Sequence, residues 1–148
     1  INRNFDEVFK DLFGGGKARL ELAEGVDILS SGIEIFVQPP GKIVTQLEAL
    51  SGGERALVAI AIYFAIMKVS PAPFCVMDEI ESALDEVNVE RFVAYLRKMN
   101  AKTQFIVISH RRGTMEEADV LYGVTMQNEG VSKLLELRAS ELEKTFVS

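Results

Sequence analysis

The sequence predicts an α/β fold with a parallel-strand core, and three patterns carry that prediction. Phe74-Cys75-Val76-Met77 and Gln104 to Ser109 read as short strands buried on both faces of a parallel sheet. Between them, Val89, Phe92, Val93 and Leu96 fall on one face of a helix from about Glu86 to Asn100. Strand, helix, strand in this order imply a right-handed βαβ unit. The third pattern is the apolar run Ala56 to Met67, closed by Arg55 and Lys68. It is too short to span a bilayer and fits a buried core helix.

The other elements follow in chain order. Phe5, Val8, Phe9, Leu12 and Phe13 recur at helical spacing, and Gly14-Gly15-Gly16 ends that helix. Ala18 to Ala23 and Gly32 to Gln38 alternate like strands with one buried face, and Pro39-Pro40-Gly41 breaks the second. A long helix runs from near Gly52 to about Lys68. Val120 to Gln127 and Val131 to Leu137 flank Asn128-Glu129-Gly130, the signal of a hairpin. A short polar helix within Arg138 to Ser148 is expected to close the chain.

Composition narrows the class. With 148 residues there is room for one domain, and 48% hydrophobic with 26% charged residues is an ordinary globular balance. No charged stretch followed by an apolar one opens the chain, so no secretory signal is read. The first residue is Ile1, which suggests an excised piece of a longer protein. The single cysteine, Cys75, excludes an internal disulfide, reads as a small buried hydrophobe, and favours a cytoplasmic protein. The net charge of −6 makes this piece alone a poor partner for duplex DNA, which presents about one negative charge per 1.7 Å of axis.

Four pieces carry chemistry. Leu50-Ser51-Gly52-Gly53-Glu54 opens the long helix. Ser51 is a good N-cap, the glycines leave the backbone bare, and the outward amides form a ready anion site. A plain capped helix start explains the same residues. Asp78 and Glu79 follow an apolar strand, where α/β sheets bind ligands. In P-loop nucleotidases the first such acid holds Mg²⁺, and a second can activate water. Solvated acids at a strand end are the plainer account. Ser82-Ala83-Leu84-Asp85 could be only a turn and an N-cap. His110, the only histidine, follows the strand predicted to neighbour the acidic one.

Together these resemble the signature, Walker B, D-loop and H-loop of the ATP-binding-cassette superfamily, in family order. Glu54 and Ile80 stand where a transporter would carry Gln and Pro. Pro71-Ala72-Pro73-Phe74, Asp78-Glu79-Ile80-Glu81, Leu84-Asp85-Glu86-Val87-Asn88-Val89 and His110-Arg111-Arg112-Gly113-Thr114-Met115-Glu116 are similar to the C-terminal head segment of structural maintenance of chromosomes (SMC) proteins, bacterial branch. Gly15-Gly16-Lys17-Ala18, Pro39-Pro40-Gly41-Lys42 and Tyr122-Gly123-Val124-Thr125-Met126 fit that family too. Glu81 stands where the family usually has Asp, and Ser82 where it often has Ala.

The resemblance implies half of an ABC-type head: a parallel-strand core with flanking helices, antiparallel strands, and a C-terminal hairpin and helix, as a single domain over residues 1–148. It implies ATP and Mg²⁺ as cofactors, with Asp78 on the metal, Glu79 activating water and His110 on the γ-phosphate. Ser51, Gly52, Gly53 and Glu54 would serve the ATP of an opposite head, and Asp85 would cross the interface. The implied partners are the N-terminal half of the same head, a second head, a kleisin subunit and DNA through the full complex. The implied setting is the cytoplasmic nucleoid, without a membrane. No phosphate-binding loop is present: Gly16-Lys17 has Asp11 at the first-glycine position, and Gly41-Lys42 has Phe36 there. The piece alone is therefore expected to be inactive. Two other readings stay open: a head segment of a coiled-coil DNA-repair ATPase, and a non-catalytic kleisin-docking module.

Overall fold

The computed structural model describes residues 1–23, 30–43, 46–126 and 130–138. They fall into two compact units, one from Ile1 to Ser109 and one beginning at His110.

In the first unit, α1 (Asn2–Phe13) buries the apolar face read from its spacing. Gly14 closes the helix in the left-handed region (φ 72°) with its N–H on the Lys10 carbonyl. Strands β1 (Lys17–Leu22) and β2 (Ile33–Gln38) pair antiparallel, Lys17 opposite Gln38 and Leu22 opposite Ile33. Gly16 makes that entry feasible: a Cβ there would lie 2.3 Å from the Gln38 carbonyl oxygen. A single 3-10 turn, Leu47–Ala49, leads into α2 (Gly52–Val69).

Strands β3 (Phe74–Asp78) and β4 (Gln104–Ile108) are parallel neighbours, joined through α3 (Glu86–Met99). The strand–helix–strand unit is therefore present in the expected order. The Thr103 hydroxyl donates to the Ala72 carbonyl at 2.8 Å and pins the entry of β4 to the Pro71–Pro73 segment. In the core, the Phe64 ring stacks on Phe92 at 6.1 Å and leans on Tyr95 at 5.0 Å, so α2 and α3 meet through aromatic rings. Helix α1 packs on both.

Two expectations need correction. β3 and β4 are buried on one face, not both. Cys75 and Met77 enter the core, and Phe105 and Val107 pack against it. Phe74, Val76, Ile106 and Ile108 are 58%, 55%, 47% and 51% exposed. The continuous apolar run was the signature of a two-sided burial that the described residues supply on one side only. For the same reason α2 is not buried all round: Leu57, Ala61, Phe64 and Ala65 are fully buried while Tyr63, Ile66 and Val69 stay exposed.

The second unit holds α4 (Arg112–Glu116) and the antiparallel strands β5 (Val120–Met126) and β6 (Ser132–Arg138), with Val120 opposite Arg138 and Met126 opposite Ser132. This is the expected hairpin. Asn128 and Glu129 of its turn, and the closing helix expected within Arg138 to Ser148, lie outside the described residues apart from Gly130 and Arg138, the latter ending β6. No helix among the described residues is long and apolar enough to cross a membrane.

Candidate nucleotide site

Asp78 is the last residue of β3 and pairs in register with Ile108 of β4. It therefore stands at the carboxyl edge of the parallel pair, where open α/β sheets bind ligands. Its side chain and that of Glu79 are exposed. Glu79 has φ 48°, the one positive φ of a non-glycine residue among the described residues. A side chain with a Cβ is held there against about 1–3 kcal/mol of strain, and such outliers gather at functional sites.

The surroundings fix that conformation. The Glu79 N–H donates to the Ile108 carbonyl at 2.9 Å, which prolongs the β3–β4 ladder by one bond. The Ser82 N–H then donates to the Glu79 carbonyl at 3.0 Å, and Leu84 N–H to the Glu81 carbonyl at 2.9 Å. Leu84 is buried and anchors the turn to the core. Asp85 caps α3, its carboxylate accepting from the Asn88 N–H at 2.9 Å. The plain reading of Asp85 as an N-cap is thus realised, and the residue is also exposed at the end of a pinned turn.

The start of α2 is a complete capping box. The Glu54 N–H donates to the Ser51 hydroxyl at 3.3 Å, and the Ser51 N–H donates to the Glu54 carboxylate at 3.0 Å. Lys42 donates to the other Glu54 oxygen at 2.6 Å. The Lys42 ammonium first, then the Ser51 N–H, hold the Glu54 carboxyl below the usual glutamate value. The two glycines are used differently. A Cβ on Gly52 would meet nothing within 4 Å, whereas one on Gly53 would lie 3.0 Å from the Ala83 carbonyl oxygen. The absence of a side chain at Gly53 lets the helix start, with its partial positive charge, sit against the turn that carries Glu79 and Asp85.

The structure therefore brings together Ser51 to Glu54 and the segment from Asp78 to Asp85. His110 is exposed and is the first residue of the second unit. Among the described residues no cluster of three or more His, Cys, Asp or Glu could by itself hold a metal. A single carboxylate such as Asp78, with Glu79 exposed beside it, is compatible with Mg²⁺ nonetheless, because that ion is held by one or two carboxylates with waters and substrate phosphates rather than by a protein cage.

Sequence reasoning missed three features. The strain at Glu79 has no sequence signal. The ion pair of Lys42 with Glu54 joins residues twelve apart, beyond the reach of any local pattern. Glu81, noted as a departure from Asp, is 1% exposed and accepts from the Ser109 hydroxyl. Cys75 is buried as expected, its sulfur 3.0 Å from the Tyr63 hydroxyl.

Comparison with known proteins decides the lineage. The family model described as the RecF/RecN/SMC N terminal domain matches residues 26–133. The chain belongs to this family. Among SMC relatives, the chromosome partition protein Smc of Bacillus subtilis is 61% identical over 147 residues, 99% of this chain and 12% of that protein. The chain thus spans about an eighth of the length of that relative. A chain solved in work on ATP-driven dimerization and DNA-stimulated activation of SMC ATPases superposes with a TM-score of 0.84 at 42% identity, covering 99% of this chain and 91% of that one. An Smc head domain with an extended coiled coil, derived from Pyrococcus furiosus and bound to the C-terminal domain of ScpA, gives 0.84 at 44%, covering 99% and 36%. The mixed α/β fold is accordingly that of an SMC ATPase head region, as the SMC resemblance led one to expect.

Proposed function

We propose that this chain is the C-terminal lobe of an SMC head, residues 1–148 acting as one lobe, and that it supplies the water-activating acid to its own head and the signature to an opposite head. ATP hydrolysis would then control head engagement in chromosome partition. The observation that carries this is the packing of Gly53 on Ala83, which puts an anion-seeking helix start beside the strained acidic turn.

The roles follow from charge and position. Asp78 would help to hold the Mg²⁺ of a bound Mg·ATP, which would supply charge neutralisation at the phosphates. Glu79, beside it and exposed, would orient and deprotonate water; the SMC resemblance, rather than position, adds His110 as a contact of the γ-phosphate. Ser51, Gly52 and Gly53 present N–H groups and a hydroxyl to the γ-phosphate of the other head, and Glu54 keeps that helix start in shape through the capping box. Asp85 meets the partner head. Two heads exchanging the same surface form an isologous pair. Since the γ-phosphate bridges them, its loss releases them.

The partners this reading requires are the N-terminal half of the head with the phosphate loop, a second head, a kleisin and DNA through the whole assembly, in the nucleoid. Two findings favour a kleisin. The Pyrococcus head was solved with ScpA bound, and the hairpin here leaves Tyr122, Val124, Leu134 and Leu137 exposed.

The test is calorimetry with Mg·ATP on this chain alone and on the chain joined to its N-terminal segment. The chain alone should bind weakly or not at all and turn over nothing; the joined head should do both. Tight binding by the chain alone contradicts the proposal.

A further inference from the structure

Glu81 is the one buried carboxylate among the described residues, at 1% exposed. A glutamate is almost never fully buried unless paired, because stripping water from a charge is costly. An apolar side chain would fill the same space at less cost, so the carboxylate calls for an explanation beyond packing. It lies two residues after Glu79 and four before Asp85. Its side chain accepts from the hydroxyl of Ser109, the residue that follows β4. Its own carbonyl accepts from the Leu84 N–H at 2.9 Å.

The turn from Glu79 to Asp85 is thus tied to the β4 end twice, once by the Glu79 N–H on the Ile108 carbonyl and once by the Glu81 carboxylate on Ser109. The second tie is a hydroxyl-to-carboxyl hydrogen bond at a residue that is 1% exposed, where the low local dielectric strengthens it. A non-glycine residue at φ 48° stays there only while its surroundings over-determine it.

We infer that Glu81 is a positioning residue: its buried carboxylate, held by the Ser109 hydroxyl, locks the turn so that Glu79 and Asp85 keep the orientation their roles require. This rests on the reading of Glu79 as the water-activating group. With the tie cut, the backbone at Glu79 relaxes towards ordinary φ and its carboxylate swings away from the water. The nucleotide cradle, in the other half of the head, is untouched. The signature of the role is a fall in kcat with an unchanged KM.

The test uses the complete head, this chain with its N-terminal segment, and measures steady-state ATPase and thermal melting for each variant. Ser109→Ala should lower kcat by about 10- to 100-fold, the scale of an ångström-level misplacement, with KM for ATP unaltered. Ser109→Thr, which keeps the hydroxyl, should restore it. Ser109→Ala combined with Glu81→Met, which removes the acceptor, should be no slower than the slower single variant, because both cut the same tie. Wild-type kcat in Ser109→Ala overturns the inference. So does a loss that Ser109→Thr shares, or that follows the drop in melting temperature across all variants, since that marks packing alone. Glu79→Gln in the same preparation separates the two readings. If it hydrolyses normally, the assignment of Glu79 fails and the positioning role with it. If it is dead while Ser109→Ala is unimpaired, only the positioning role fails.

Discussion

Replacing Glu79 with glycine should make the protein more stable while abolishing turnover of the assembled head. The perturbation acts on φ 48°, a value glycine adopts freely and a residue with Cβ does not. Left-handed backbone costs an L-residue about 1–2 kcal/mol. Glycine recovers that amount but loses about 0.5–1 kcal/mol through its freer unfolded chain. The Glu79 side chain is exposed, so little buried area is lost. The net expectation is a gain of about 0.5–1 kcal/mol, roughly 1–4 °C in melting temperature for a chain of this size. Glu79→Gln is the control, because it keeps the strained backbone and should melt within about 0.5 kcal/mol of the parent. The assay is thermal unfolding followed by circular dichroism, repeated in urea to check that the m-value is unchanged. Glu79→Gly melting at or below Glu79→Gln would refute the reasoning, since the turn would then hold no strain for glycine to release.

Other predictions follow from the same geometry. The Glu54 carboxyl is held below its ordinary value of 4.5, so the stability it adds is fully present above pH 4.5 and is lost as the pH falls through its lower folded value. Unfolding of Glu54→Gln against the parent should differ by no more than about 1 kcal/mol near neutrality, with the gap closing in acid; a gap that widens in acid contradicts the Lys42 pairing. For the kleisin, deletion of residues 140–148 should weaken pull-down by the head, and undiminished capture moves the docking site elsewhere, the exposed hairpin being the next candidate.

Much of this was legible in sequence. The helix α1 and its glycine stop, the strand–helix–strand order, the Ser51 cap and the C-terminal hairpin follow from periodicity and turn chemistry, which are local. What sequence could not supply was which face of an apolar segment meets a neighbour. Val76 and Ile108 look as buried as Met77 by composition, and only layering separates them. The candidate site was legible as motifs and order, because Asp78, Glu79 and Ser51 sit at element ends that residue type announces. The contacts between those ends were not legible. Gly53 on Ala83, Glu81 on Ser109 and the turned backbone of Glu79 all join residues distant in sequence or depend on a dihedral angle that no residue type dictates for glutamate.

The central claim is that two heads share the site, the acid acting on its own nucleotide and the signature on the other's. Size exclusion of the complete head with Mg·ATP tests it most directly, using two variants that should both be inactive. Glu79→Gln keeps shape while removing the charge that activates water, a loss of about 10²–10⁴-fold, so ATP persists and the heads should elute as a dimer. Ser51→Arg places a bulky cation on the α2 start and should elute as a monomer that still binds ATP. Dimer for the first and monomer for the second is the predicted result. Two monomers, or loss of ATP binding in Ser51→Arg, would contradict it.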